Sequence, residues 1–175
     1  MLVLQKLLRI YGALASFMSI EQLRGDEVGT FVDELWVPAQ REMAEAKRYT
    51  LKDEIRAPGV AFNRSLLDDE DAVTYLARRG GDLVGYVTAE VQTPPPMVEQ
   101  LRECHIVELF VDEASRRRGV ASNLVGEVER WARSRECEYT KLMVSSENLA
   151  AIDLYESSGY GVARHSMKKR IERDG

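Results

Sequence analysis

The stretch VELFVDEASRRRGVASNLV, residues 107–125, places three consecutive arginines between an apolar run and a glycine. The spacing predicts a strand over about 104–111 and an amphipathic helix from Gly119 to about Glu136. The first amides of a helix lack intrahelical partners, and the helix dipole favours negative charge beside them. Arginine adds bidentate donors for phosphate oxygens, and Gly119 lets a ligand approach the backbone closely. The segment therefore predicts a local anion site, with a pyrophosphate as its natural ligand. A solvated charged face is the alternative explanation for the three arginines.

The composition of the whole chain indicates a globular domain. The chain has 175 residues, of which 45% are apolar and 30% charged, enough for one domain with a real core. Because 29 acidic residues outnumber 24 basic ones, the formal charge is -5, which argues against a nucleic-acid-binding domain. A nucleic-acid binder that uses Arg116–Arg118 on phosphates is the disfavoured alternative, so we expect the arginines to act locally.

Residues 1–17 form an apolar extension before the predicted domain of residues 18–175. Two basic residues interrupt its apolar run, which argues against a signal peptide, and no segment reaches the ~20 apolar residues of a membrane span. Leucines at helical spacing predict a helix that packs on the domain or on a partner. Cys104 and Cys137 are expected to be reduced thiols in a cytoplasmic protein.

Hydrophobic periodicity along the chain predicts alternating strands and helices. A strand over 18–24 precedes an amphipathic helix that Pro38 interrupts or ends, and a mostly helical stretch is broken at 57–59. Two strands around Gly80 and Gly81 predict a hairpin. The other expected elements are a loop at TPPP (93–96), a strand at YTKLMV (139–144), a helix at ENLAAIDLYESSG (147–159) and a final strand at YGVARHSMKKRI (160–171). This order predicts one α/β domain with a mixed sheet.

A second segment, NLAAIDLYESSGY at residues 148–160, follows a predicted strand and begins a predicted helix. Asn148 lies at the helix entrance, where asparagine is also an ordinary N-cap. Tyr155 follows two turns later on the same face, where a half-buried aromatic residue is the alternative explanation. The Walker and Rossmann phosphate-binding patterns are both missing, so neither accounts for the predicted anion site.

Together, the two segments resemble the GNAT superfamily of acyl-CoA-dependent N-acetyltransferases. The loop signature Q/R-x-x-G-x-G/A is matched by RRRGVA, with Arg116, Gly119 and Ala121 at the signature positions. The helix signature N-x-x-A-x-x-x-Y-x-x-x-G-F/Y is matched at every position, by Asn148, Ala151, Tyr155, Gly159 and Tyr160. The resemblance is specific over 103–160, covers only the order of elements over 18–102, and is absent for 1–17. It implies a single domain of the α+β type, with a mostly antiparallel sheet flanked by helices.

The resemblance also implies a co-substrate and a reaction. Acetyl-CoA is the implied co-substrate, and its acetyl group passes to a primary amine by direct attack in a ternary complex, with no metal. The loop amides would hold the pyrophosphate, and the end of the strand would pair with the pantetheine arm. The implied cofactor-binding residues are Phe110, Val111, Arg116, Arg117, Arg118, Gly119, Val120, Ala121, Asn148 and Tyr155.

The acid and the base of this reaction have different support in the sequence. Tyr155 matches the family tyrosine that protonates the departing thiolate, and a phenol with a reference pKa near ~10 suits that task. Glu108, just before the cofactor-binding end of the strand, is the preferred base, and His105 is the other candidate. A strand-face charge and an ordinary sheet histidine are the alternative explanations. Met143 stands about where ribosomal-protein-acetylating relatives carry a glutamate, which argues against a ribosomal-protein substrate.

No motif in the sequence identifies the acceptor. An amine-bearing small molecule, peptide or protein fits the implied reaction. Asp68–Asp71 and Glu99 would suit a cationic amine, although solvated charge also explains them. A non-catalytic acyl-CoA-binding regulatory module is the alternative function, but Tyr155 favours an enzyme. No membrane or nucleic-acid partner is predicted, and a homodimer is compatible with these expectations.

Overall fold

The computed structural model describes residues 17–47, 49–95, 97, 102–167 and 169. The predicted N-terminal helix therefore lies outside the described residues, apart from its last position. The chain divides into two compact units, Met1–Met143 and Val144–Gly175. Within the described ranges, no helix combines the length and the apolar character that crossing a lipid bilayer requires.

The first unit is built on a five-stranded sheet in the order β1-β2-β3-β4-β5. The strands are β1 (Met18–Gln22), β2 (Ala72–Arg79), β3 (Asp82–Gln92), β4 (Glu103–Val111) and β5 (Tyr139–Leu142). Neighbouring strands are antiparallel except for β4 and β5, which are parallel. The β2–β3 hairpin turns at Gly80 and Gly81, whose φ angles of 62° and 99° are those that such a two-residue turn needs. The mixed, mostly antiparallel sheet and the hairpin confirm the prediction.

Helical structure from Val28 to Lys47 covers one face of this sheet. It consists of α1 (Val28–Phe31), a π-helical turn (Val32–Trp36) and α2 (Val37–Lys47). Its apolar residues pack with three buried side chains of the sheet, Leu76, Tyr86 and Phe110. The rings of Phe31 and Tyr86 meet edge to face with 5.1 Å between centroids, a favourable aromatic geometry. This cluster is the core on the α2 side of the sheet.

Helical structure continues through Pro38, so the predicted helix end at this residue is wrong. The interruption takes the form of the π-helical turn directly before it, in which the Val37 amide donates to the Val32 carbonyl. Proline lacks an amide donor and its ring clashes with the carbonyl four residues earlier in an α-helix, a conflict that the wider π turn avoids. The extra residue of that turn rotates α2 by about 100° relative to an uninterrupted α-helix.

The predicted break at 57–59 is also wrong. The helix α3 (Arg56–Leu67) contains the APG run in its first turn. Proline is tolerated there because the first amides of a helix have no intrahelical acceptor. The Glu54 carboxylate accepts from the amides of Arg56 and Ala57 at 2.5 and 3.2 Å, which satisfies two of those donors.

The helix α4 (Val120–Ser134) covers the opposite face of the sheet. Its buried residues are Val120, Leu124, Val125, Val128 and Ala132, and Trp131 is half-buried, which confirms the predicted amphipathic helix. Gly85 of β3 lies beneath its start. A Cβ at Gly85 would stand 2.9 Å from the Phe110 carbonyl oxygen and 3.3 Å from the Val111 and Val120 side chains. Glycine is therefore needed for the close packing of β3, β4 and α4.

The predicted helix lies in the second unit and is α5 (Leu149–Ser157). It ends just before Gly159, whose φ is 90°. The final strand expected over 160–171 is wrong for residues 160–167 and 169, which have no regular structure; the rest of that stretch lies outside the described residues. Strand formation depends on backbone pairing with a neighbouring strand, and a local apolar pattern does not specify that partner.

Candidate functional site

The end of β4 is an open strand edge. The pairing of β5 with β4 runs only from Glu103 to Ile106 on β4. On its other side, β4 stays paired with β3 as far as Val111. Residues 107–111 therefore have no strand partner on the β5 side within the described part of the chain. An extended ligand with amide groups can pair with such an edge as an added strand.

A β-bulge lies at the start of this open edge. Ile106 and Glu108 pair with consecutive residues of β3, so Val107 is the extra residue. A bulge increases the local twist and re-aims the side chains that follow it. Glu108 and Phe110 consequently face the side of the sheet that α2 covers, where both contact Tyr86.

The loop between β4 and α4 has left-handed backbone at two residues. Arg117 has a φ of 59°, and Gly119, the N-cap of α4, has a φ of 78°. The helix has no side-chain hydrogen bond to its cap and no acidic residue in its first turn. The leading amides of this 15-residue helix are therefore available to an anion, which the helix dipole also favours.

Arg116 is engaged within the protein. Its Nε donates to the Val111 carbonyl oxygen at 2.8 Å, and a terminal nitrogen donates to Glu42 of α2 at 2.5 Å. Its guanidinium lies 5.8 Å from the centroid of the Phe110 ring, within the range of a cation–π contact. Arg116 thus ties the loop to the end of β4 and to α2.

The next two arginines differ from Arg116. Arg117 and Arg118 are exposed, and neither forms a salt bridge or a side-chain hydrogen bond with any other described residue. Val120 is buried, so it presents its amide rather than its side chain to the loop, and Ala121 is half-buried in the first turn. Arg117 and Arg118 are therefore the cations that this loop leaves available to a bound anion.

Two donors from different elements hold the Glu108 carboxylate. Nε2 of Gln40 on α2 donates to Oε1 at 2.8 Å, and the Tyr86 hydroxyl on β3 donates to Oε2 at 2.9 Å. Burial first, and then the Glu108 charge, raises the pKa of Tyr86 well above its usual value, so this phenol stays a donor. Burial and the Glu108 charge also raise the pKa of Tyr49. The site thus contains a half-buried carboxylate with both oxygens hydrogen-bonded.

His105 lies on the same strand but in different surroundings. Its Nδ1 is 3.2 Å from Nε2 of Gln92 and 3.7 Å from a carboxylate oxygen of Glu90. Three residues of extended strand span about 10 Å. His105 and Glu108 are therefore separate candidates for the base and do not form a pair.

The second unit carries Asn148 and Tyr155 on α5. Asn148 is the N-cap, and its side chain accepts from the Ala151 amide at 3.2 Å, an ordinary capping contact. The Tyr155 ring meets Tyr160 edge to face with 5.6 Å between centroids. Burial raises the pKa of Tyr155, so its phenol stays protonated at neutral pH and can act as a donor.

The other predicted candidates have structural partners or lie elsewhere. Among Asp68–Asp71, Asp69 accepts from the Asp71 amide, and Asp71 forms an ion pair with Arg102 at 3.2 Å. Glu99 lies outside the described residues. Both cysteines are free, and burial chiefly raises the pKa of Cys104 to about 12, which keeps this thiol protonated. Asp69 and Asp71 thus have partners within the protein.

Four residues of the site were not predicted from the sequence: Gln40, Glu42, Gly85 and Tyr86. Gln40, Glu42 and Tyr86 meet their partners only through packing between distant elements, so no spacing in the sequence marks them. The sequence does mark Gly85, because a glycine inside an apolar strand often indicates a close approach of another backbone segment.

A family model matches this chain, and so do many solved structures, three of which are described below. The family model, for the acetyltransferase (GNAT) family, matches residues 30–160. A transcriptional regulator from Bacillus halodurans C-125 is 19% identical, with 89% of this chain and 100% of that chain covered and a TM-score of 0.70. The aminoglycoside N-acetyltransferase AAC(6')-Iy, in complex with CoA, is 18% identical, with coverage of 90% and 97% and a TM-score of 0.71. A predicted acetyltransferase from Clostridium acetobutylicum, with acetyl-CoA, is 13% identical, with coverage of 88% and 96% and a TM-score of 0.70.

At these identities, the similarity to solved structures shows a shared fold. The family match goes further, because it spans more than half of the chain and includes β4, the arginine loop, α4 and α5. The chain therefore belongs to the acetyltransferase (GNAT) family.

Proposed function

We propose that this protein transfers the acetyl group of acetyl-CoA to a primary amine of a small molecule, peptide or protein. The observation that carries the proposal is the continuity of the open β4 edge with the loop and the start of α4. Coenzyme A has an extended arm with amide groups and a pyrophosphate. One such ligand would satisfy both the strand edge and the free helix amides.

The residues around this edge suit coenzyme A in distinct ways. The backbone of Phe110 and Val111 would pair with the pantetheine arm, and the amides from Arg117 to Ala121 would bind the pyrophosphate. Arg117 and Arg118 would add positive charge. Arg116 would instead hold the loop in place, because its guanidinium already bonds to Val111 and Glu42. The proposed role of Asn148 is to start α5, which carries Tyr155.

The proposed chemistry uses one base and one acid. Glu108 takes the proton of the substrate ammonium, directly or through a water, and the neutral amine attacks the thioester carbonyl. A carbon–nitrogen bond forms, and a backbone amide near Phe110 donates to the carbonyl oxygen as it gains charge. The carbon–sulfur bond then breaks, and the thiolate takes a proton from Tyr155. Burial raises the pKa of Tyr155, so the phenol carries its proton at neutral pH, as a general acid must before it donates.

The test is a coenzyme A release assay with purified protein, acetyl-CoA and a panel of aminoglycosides, polyamines and lysine peptides. We expect turnover with at least one amine. We also expect acetyl-CoA to raise the melting temperature, because a ligand at ~100 times its dissociation constant adds ~2.7 kcal/mol. Tyr155→Phe should keep that thermal shift and lose turnover by ~10²–10⁴-fold.

Each component of the proposal has its own contrary result. No thermal shift at millimolar acetyl-CoA would overturn the cofactor assignment. A thermal shift without turnover on any amine would favour the non-catalytic regulatory module. Parental turnover in Tyr155→Phe would remove this residue from the mechanism.

A further inference from the structure

The two donors to Glu108 are rigidly placed, although they come from distant parts of the chain. Gln40 lies 68 residues before Glu108 and Tyr86 lies 22 residues before it. Tyr86 is fully buried and Gln40 is 8% exposed. Both are therefore interior polar groups whose partner is the same carboxylate.

Packing fixes the Tyr86 hydroxyl. The ring meets Phe31 at 5.1 Å and Phe110 at 6.2 Å between centroids, on the face of the sheet that α2 covers. A ring enclosed between two other rings keeps its hydroxyl oxygen in place beside Glu108. The position of this donor is thus set by the core and not by the carboxylate that it contacts.

The π-helical turn sets the direction of Gln40. This turn, Val32–Trp36, precedes α2 and rotates it by about 100° relative to a continuous α-helix. Trp36, the last residue of the turn, lies against Gly59 of α3, where an added Cβ would clash with the indole ring. The turn is therefore held by α3, and α2 presents Gln40 to the sheet as a consequence.

A carboxylate without such contacts turns freely, because the torsion before a carboxyl group has a broad, shallow profile. A base has to stand within ~2.6–3.2 Å of its proton or within reach of one bridging water. An error of about 1 Å in such a placement lowers a rate by ~10²-fold. One donor on each oxygen restricts the plane of the carboxylate and leaves its remaining lone pairs for the substrate.

We propose that Gln40 and Tyr86 are positioning residues that orient the Glu108 carboxylate to accept the proton of the substrate amine. The proposal rests on the proposed function and deepens it, because it assigns two residues outside the cofactor loop to the same reaction. Tyr86 and Tyr49 are titratable groups on which the Glu108 charge acts. Tyr49, from the segment after α2, is partly exposed, so it is not part of the buried pair of donors.

The test is a pair of double-mutant cycles on turnover at saturating acetyl-CoA. Tyr86→Phe and Gln40→Leu each remove one donor, and each is made in the parent and in Glu108→Gln. In the parent, either change should lower kcat by ~10–100-fold and leave the KM for acetyl-CoA unchanged. In Glu108→Gln, either change should lower kcat less than about twofold further, because residues that act through one group are not additive.

Thr74→Val is the matched control. It removes a hydroxyl from the buried Thr74–Thr88 hydrogen bond, which measures 3.0 Å, and Thr74 lies on β2, one strand further from Glu108 than Thr88. This variant should lose stability and keep kcat. Thermal unfolding of every variant shows which of them are folded, and if Tyr86→Phe does not fold, the Gln40→Leu cycle decides alone.

The failures of the two proposals are distinguishable. An equal loss of kcat in the parent and in Glu108→Gln would assign Gln40 and Tyr86 a purely structural role and overturn this inference. A fully active Glu108→Gln would overturn it too and leave the acetyltransferase proposal standing. A parent without turnover on any amine would overturn both.

Discussion

The loop after β4 and the Glu108 carboxylate on β4 are close in sequence but are built in opposite ways. The loop obtains its features from consecutive residues, namely the left-handed backbone at Arg117 and Gly119 and the free amides of α4. Glu108 obtains its surroundings from α2 and β3, through Gln40 and Tyr86. A local pattern therefore suffices to recognise the first region, whereas the second exists only once distant elements have packed.

This difference predicts that the two regions can be damaged separately. Changes in the loop should weaken acetyl-CoA binding and spare turnover at saturation. Changes at Glu108 should do the reverse, because neither Gln40 nor Tyr86 lies in the loop that would bind the pyrophosphate. Loss of both properties from a single change would show that the two regions are coupled.

The largest effect is expected from Glu108→Gln, which keeps size and polarity but cannot take a proton at neutral pH. Turnover should fall by ~10²–10⁴-fold, most strongly at low pH, where little of the substrate amine is already neutral. The thermal shift with acetyl-CoA should persist. A pH–rate profile measures the loss of turnover, with His105→Gln as the comparison variant. A loss that is the same at every pH would indicate a role in structure or binding and would make His105 the base to test.

A smaller effect is expected from Gly119→Ala, with Gly81→Ala as its control. Both glycines have left-handed backbone, at φ values of 78° and 99°, so alanine should cost each variant ~1–2 kcal/mol of stability. The affinity for acetyl-CoA should fall about tenfold, or ~1.4 kcal/mol, only at Gly119. Calorimetric titration measures this affinity. Valine is a poorer choice at Gly119 because a β-branched residue adds further strain there. Equal affinities in the two variants would contradict the anion-binding role of the loop.

The smallest effect is expected from replacing Arg116 or Arg118 by alanine. The two variants distinguish an arginine that holds the loop in place from one that binds the anion. Arg118→Ala should weaken acetyl-CoA binding by up to about fivefold, in a salt-dependent way, because an exposed charge contributes ~0.2–1 kcal/mol. Arg116→Ala should lower the free energy of unfolding by ~1–2 kcal/mol, through loss of the bond to Val111, with little contribution from the exposed contact to Glu42. Urea unfolding measures the free energy of unfolding, and titrations at two salt concentrations measure the affinity for acetyl-CoA and its salt dependence. A larger salt-dependent loss of affinity in Arg116→Ala than in Arg118→Ala would show that Arg116 binds phosphate directly.

Sequence patterns predict an element correctly where that element depends only on residues nearby in the sequence. The hairpin at Gly80 and Gly81 needs only turn chemistry, and the buried stripe of α4 needs only helical periodicity. The predicted helix end at Pro38 and the predicted break at 57–59 are wrong because proline does not break a helix in every local setting. A π-helical turn accommodates Pro38, and the first turn of α3 accommodates Pro58. The strand expected at 160–171 was wrong over its described residues because its backbone needs a partner strand.

Local sequence alone accounts for the left-handed loop after β4, the start of α4, the α5 signature and, through them, the acetyltransferase family. These features depend on backbone geometry within a few residues, which residue types such as glycine and asparagine largely dictate. Packing between distant elements sets the role of Arg116 as a tie between the loop and α2, and it gives Glu108 its two donors. The physical reason is that hydrophobic periodicity specifies which residues of a helix are buried, but it does not specify how the helix is rotated over the sheet. The rotation of α2 follows from the π-helical turn and from the contact of this turn with Gly59.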